Sequence, residues 1–212
     1  MPAASTVTTG PDLTGFLVAH KAMKAEYGRL ADAAATVDPA DVERVAAIEA
    51  HIAFMIKYLH HHHAPEDEDI WPALRLADPA ATAVLDRLEA DHGDIDALLE
   101  QIGDRGRTLA QRAPILRELQ ARLADHLTLE EREAVPLIRR HLTQEWFGEL
   151  HEKVTKSWDQ PDLPFLFGIA VTYASRTEIA HLLTSVPWFV RLLWRLAMRP
   201  KFNKRMRQVY GA

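Results

Sequence analysis

The sequence predicts an all-α protein, an up-down-up-down four-helix bundle with a C-terminal helical extension. Three observations predict it. Strand-like alternation is absent, and Ala, Leu, Glu and Arg, all strong helix formers, dominate the chain. Four long segments repeat apolar residues at alternating spacings of three and four. The triplet Asp-Pro-Ala occurs at Asp38-Pro39-Ala40 and again at Asp78-Pro79-Ala80, each time offering a capping carboxylate followed by a proline suited to the first helical position.

Taken in order, residues 1–11 are rich in Thr, Pro and Gly and read as a loose lead. Helix 1 is expected from Asp12, as N-cap, to about Ala35. Helix 2 follows the first Asp-Pro-Ala and runs through four consecutive histidines, His60–His63. Helix 3 follows the second triplet and ends near Gly103–Gly106, and helix 4 runs from near Pro114 to about His141. Short connections between long helices favour the up-down-up-down order. Beyond them a helix is expected over 144–158, a breaker at Gln160–Pro164, and two or three shorter helices interrupted at Pro187 and Pro200. Residues 12–142 therefore form the bundle, and 143–212 an extension packed on it.

Composition narrows the function. The 212 residues are 48% hydrophobic, enough for a sizeable core. With no cysteine, disulfides, thiolate zinc sites, cysteine-ligated clusters and cysteine nucleophiles are excluded. No Gly-rich phosphate loop or nucleophile elbow appears. The N-terminus lacks a basic region followed by an apolar run, and the longest apolar run, near Phe165–Ala174, falls short of the about 20 residues that span a bilayer, so a cytoplasmic protein is expected. The net charge of −5 argues against nucleic acid as a partner. That charge is uneven: residues 181–212 hold seven Arg and Lys and no acid, a balance of +7 against −12 for the rest.

The seams of the four helices carry the chemistry. Helix 1 presents Leu13, Phe16, His20, Met23, Tyr27, Leu30 and Ala34. Helix 2 presents Val45, Ile48, Ile52, Met55, Leu59, His62 and Glu66. Helix 3 presents Leu85, Leu88, His92, Ile95, Leu99 and Ile102. Helix 4 presents Leu116, Leu119, Leu123, His126, Glu130, Glu133 and Leu137. Each apolar stripe is broken by a histidine, and in helices 2 and 4 a glutamate follows four residues later, on the same side one turn away. Buried carboxylates without partners cost several kcal/mol, so ions that neutralise them are expected inside the bundle. Imidazole and carboxylate ligands without thiolates suit iron, manganese or zinc. Four His and two Glu exceed what one ion needs and match two ions bridged by the carboxylates.

At these residues the sequence resembles the hemerythrin-like family of His/Glu (HHE) cation-binding domains. The matching stretches are His20, His62-His63-Ala64-Pro65-Glu66-Asp67 with the following Trp71-Pro72, Asp91-His92, and His126-Leu127-Thr128-Leu129-Glu130-Glu131. The resemblance implies a non-heme di-iron centre, with zinc or manganese as alternatives. In it Glu66 and Glu130 bridge, His20 and His62 serve one ion, and His92 and His126 the other. It also implies a protein that binds or senses O2, nitric oxide or peroxide. The alternatives are a di-iron enzyme that decomposes peroxide or reduces nitric oxide, and a metal storage or structural protein. Hemerythrins proper have a second histidine one turn after the helix 3 ligand. Here that residue is Asp96, which makes Asp96 and His63 candidates to complete the ligand set, with Glu131 a third should helix 4 be rotated. Pro65 lies within the His62–Glu66 turn and predicts a kink there.

Other groups read as structural. His60 and His61 fall off the seam and are expected in solvent, His51 in packing, and Tyr27 and Tyr58 in the core. The aromatic and basic stretch from Trp188 to Arg207 suits a membrane surface or a partner protein. Docking onto the acidic bundle, with its aromatics covering apolar surface, is the favoured expectation.

Overall fold

A computed structural model describes residues 10–184 and 186–211. Among the described residues there is no strand, and the fold is an all-α bundle. Its staves are α1 (Thr14–Thr36), α2 (Val42–Pro65), α4 (Thr82–Gly103) and α5 (Leu109–His141), with the short α3 (Trp71–Ala77) prolonging α2. Helix α5 packs along both α1 and α4.

Side-chain caps that satisfy the free N–H groups of the first turn start α2 and α5. Three of the expected boundaries move. Helix α2 starts at Val42 because Asp41, rather than Asp38, accepts from a backbone N–H two positions into the helix, that of Arg44 at 3.0 Å. Asp38 instead closes a turn by accepting from Ala40. Asp78 caps only the 3-10 turn Pro79–Ala81, and α4 begins at Thr82. Helix α5 starts five residues before Pro114, at Leu109, because Thr108 and Gln111 form a reciprocal capping box. Pro114 and Pro136 both lie inside that helix.

Pro65 does not end the second stave. A π-helical turn, Glu66–Ile70, follows it before the helix resumes as α3. The wider turn advances the phase by a residue, so Ile70, Trp71 and Leu74 are the buried positions that follow. The α5 seam likewise departs from the expected Glu133 and Leu137: Ala134 and Ile138 are buried instead. Of the lead, residues 1–9 lie outside the described residues, while Pro11 is buried.

The extension comprises α6 (Gln144–Lys156), α7 (Leu163–Tyr173), α8 (Arg176–Leu182), α9 (Trp188–Leu193) and α10 (Arg199–Tyr210), the last two joined by a π-helical turn, Trp194–Met198. Trp158, Phe165, Ile169, Phe202 and Val209 enter the same apolar cluster as Met23, Met55 and Leu123. The favoured expectation for the tail fails in part. Its C-terminal half docks through Phe202 and Val209, but Trp188 and Phe189 are 70% and 57% exposed and cover nothing. No helix among the described residues is long and apolar enough to cross a membrane.

The bundle core is two apolar clusters rather than one. The first holds Met23, Leu59, Ile95 and Leu127; the second holds Leu13, Ile70, Leu88 and Ala134. Between them, on every stave, stands a polar residue of the seam.

Candidate metal centre

The polar belt is built by one turn of each stave. His20 (α1), His63 (α2), His92 (α4), His126 and Glu130 (α5), and Glu66 of the π-helical turn are all buried, and the His62 side chain is 8% exposed. Their ligand-capable atoms fall into two groups that could each hold a metal ion: His20, His62, Glu66 and Glu130, and His63, Glu66, His92 and His126. Within each group these atoms lie within 4.8 Å of one another.

Both carboxylates face both groups. Glu66 Oε1 is 3.2 Å from His62 Nε2, while Oε2 is 3.5 Å from His92 Nε2. Glu130 Oε2 is 3.5 Å from His20 Nε2 and 3.9 Å from His126 Nε2. The consecutive His62 and His63 divide between the groups: the His62 ring lies edge-on to His20, and the His63 ring stacks on His92 at 3.9 Å.

An outer ring of carboxylates orients the imidazoles. Glu131 accepts from His20 Nδ1 at 3.0 Å, and Asp67 accepts from His92 Nδ1 at 2.8 Å. An ionised carboxylate only accepts, so the proton sits on Nδ1 and the Nε2 lone pair points inward. Asp91 stands 3.7 Å from His126 Nδ1. The hydrogen bond from His20, aided by Lys24 and opposed by partial burial, holds the Glu131 carboxyl down at about 2.

The interior groups lack the partners that buried polar atoms ordinarily have. His20 Nε2, His62 Nε2, both nitrogens of His63, and both oxygens of Glu66 and of Glu130 make no hydrogen bond. Burial, and after it the neighbouring imidazoles, drives His62 and His63 well below the usual histidine range. His126 is lowered to about 3, by burial first and then by His92 and His20. Burial, reinforced by the facing Glu130, pushes the Glu66 carboxyl well above its ordinary value; burial and Glu131 do the same to Glu130. Neutral imidazoles and two carboxyls deprived of water are thus aimed at common points. A cation at each point would give each of these side chains a partner for one inward-facing atom, so the residues fit a pair of metal ions.

Two candidates from the sequence fall outside these groups. Asp96 is exposed on the outer face of α4, 3.5 Å from His60 Nε2. Glu131 turns to the back of the His20 ring and to Lys24, at 2.9 Å, as an orienting group. His61 stacks on Trp158 at 4.3 Å rather than standing free in solvent. Tyr27 donates to the Met55 carbonyl at 2.8 Å, which makes it part of the core.

Sequence reading missed Glu26. It is buried and accepts from His51 Nε2 at 3.0 Å, from Arg29 at 2.7 Å, and from the hydroxyls of Tyr173 and Tyr210. Burial raises its carboxyl, but the His51 hydrogen bond and charge and the two tyrosines outweigh it and hold the group at about 2. Glu26 stands one position before seam Tyr27, and three of its four partners, His51, Tyr173 and Tyr210, come from distant elements, so no local pattern marks it.

Fold and site together define a histidine/glutamate cation-binding four-helix bundle. The family described as the hemerythrin HHE cation binding domain matches residues 13–138. The chain belongs to that family. No curated protein and no solved structure matches it.

Proposed function

We propose that the protein holds two iron ions inside its bundle and binds or senses O2 or a related small ligand, nitric oxide or peroxide. The observation that supports this is the pair of ligand groups joined through Glu66, with Glu130 turned toward a histidine of each. His20, His62, Glu66 and Glu130 hold one position, and His63, His92 and His126 with Glu66 hold the other. A bound iron pair supplies redox activity and a coordination position for the small ligand. Against the three imidazoles and one carboxylate of the His63 group, the His20/His62 side presents two imidazoles and two carboxylates. Phe16, whose ring lies 4.6 Å from His20 and 5.0 Å from His62, borders that side. The apolar clusters above and below exclude bulk water while admitting small neutral molecules. Glu131 and Asp67 keep the lone pairs of His20 and His92 turned inward whether or not a ligand is present.

Metal analysis of the purified chain tests the reading. Two irons per chain, with visible charge-transfer bands appearing on exposure to O2, support it. A single tightly held zinc without colour overturns it. Rapid O2 evolution from hydrogen peroxide by the iron-loaded protein shifts the conclusion from a binding protein to an enzyme.

A further inference from the structure

The helix that begins at Trp188 is anchored at only one end. Phe202 and Val209 are buried in the core, Trp194 packs on Phe167 at 4.8 Å, and the Arg205 guanidinium lies 3.3 Å over the Phe165 ring. The N-terminal half turns its apolar face outward. Trp188, Phe189, Leu192, Leu193 and Leu196, at i, i+1, i+4, i+5 and i+8, are 46–71% exposed. Among the described residues only Val42 and Leu76 are also large, apolar and exposed, and each stands alone. Scattered single residues are ordinary on a soluble surface, whereas five on one helical face form a patch.

Arg191, Arg195 and Arg199, at i, i+4 and i+8, border this patch. They are exposed and make no ion pair among the described residues, although the bundle below is acidic. The charge of the tail is therefore not spent on the chain's own acids. An apolar helical face with interfacial aromatics and a row of arginines at its edge is the chemistry of a helix lying in the headgroup layer of an anionic bilayer. A second copy of the chain is a poorer occupant: among the described residues the bundle shows no matching apolar patch, and two facing tails would bring their arginine rows together.

We propose that the segment Trp188–Arg199 is a docking surface for anionic lipid membranes, with the apolar face entering the interface and the arginines at the phosphates. The full chain is mixed with vesicles of phosphatidylcholine alone, or of phosphatidylcholine and phosphatidylglycerol in equal parts, and sedimented. Binding to the anionic vesicles, release as salt approaches ~1 M, and little binding to neutral ones are expected. Replacing the three arginines by alanine should weaken binding about a hundredfold. The Leu192→Ser, Leu193→Ser double variant should abolish it. Both variants lie on the surface, so unchanged circular dichroism and metal content are expected to show that they fold. Unimpaired vesicle binding by the leucine variant overturns the proposal. So does a chain that ignores anionic vesicles, whether monomeric or self-associating through this face.

Discussion

Glu66→Gln separates the cost of the metal-free site from the strength of the loaded one. Glu66 is fully buried, faces Glu130, and has no hydrogen-bond partner on either oxygen. Without metal, burial and the facing Glu130 push its carboxyl well above the ordinary value, and a buried polar group left without a partner costs about 1–3 kcal/mol. Glutamine has the same shape and no charge, and its amide can donate to the His62 lone pair, whose nitrogen lies 3.2 Å from Oε1. The metal-free variant should therefore be more stable than the parent by about 1–3 kcal/mol, raising its midpoint by several degrees at about 2–4 °C per kcal/mol. The loaded variant should move the other way. Both proposed ions lose a charged ligand, and a hundredfold loss of affinity removes about 2.7 kcal/mol of ligand-linked stability. Thermal melts of the chelated and the metal-loaded forms, parent against variant, read both effects. A chelated variant that melts below the chelated parent would refute the reasoning, because it would mean that the carboxylate is held by protein groups rather than reserved for a cation.

Three further predictions rest on other contacts. Glu131→Gln should leave the fold intact but weaken metal binding by about 10–100-fold, since it loosens the acceptor that orients His20; competition with a chromophoric chelator measures this. Glu26 has a folded pKa below the unfolded one, so its contribution of about 3 kcal/mol is complete above the ordinary carboxylate value of 4.5 and is lost as pH falls toward 2. Urea melts across pH 5 to about 2 should show the parent losing this increment and Glu26→Gln, already lacking it, varying less. In Gly168→Ala the new methyl would meet the Phe202 ring, and overpacking of about 1–3 kcal/mol should outweigh the gain in helix propensity. Earlier tryptic cleavage of α10 in that variant is the expected sign, and an unchanged digestion pattern would count against it.

How much could be read in advance differs from element to element. The four staves and the belt of His20, His62, His92, His126, Glu66 and Glu130 follow from side-chain spacing alone, because a helix returns to the same face every three or four residues and an ionisable group on an apolar face stands out. The starts of the helices were less legible. Asp38, Asp41 and Asp78 are all competent caps, and the choice among them depends on which turn the packed helix permits.

Other features exist only in three dimensions. His63, not Asp96, joins the second ligand group, because the position of Asp96 on α4 faces solvent while His63, one residue past the seam, meets His92 across the bundle. The Glu26 cluster gathers side chains 3 to 184 residues apart. The outward face of Trp188–Leu196 was undecided as well, since an amphipathic helix shows its two sides in sequence but not which of them the rest of the molecule will cover. Periodicity is a local property that the backbone imposes on each segment alone. Partnership between segments is settled when their surfaces compete for burial, and only the packed chain records the outcome.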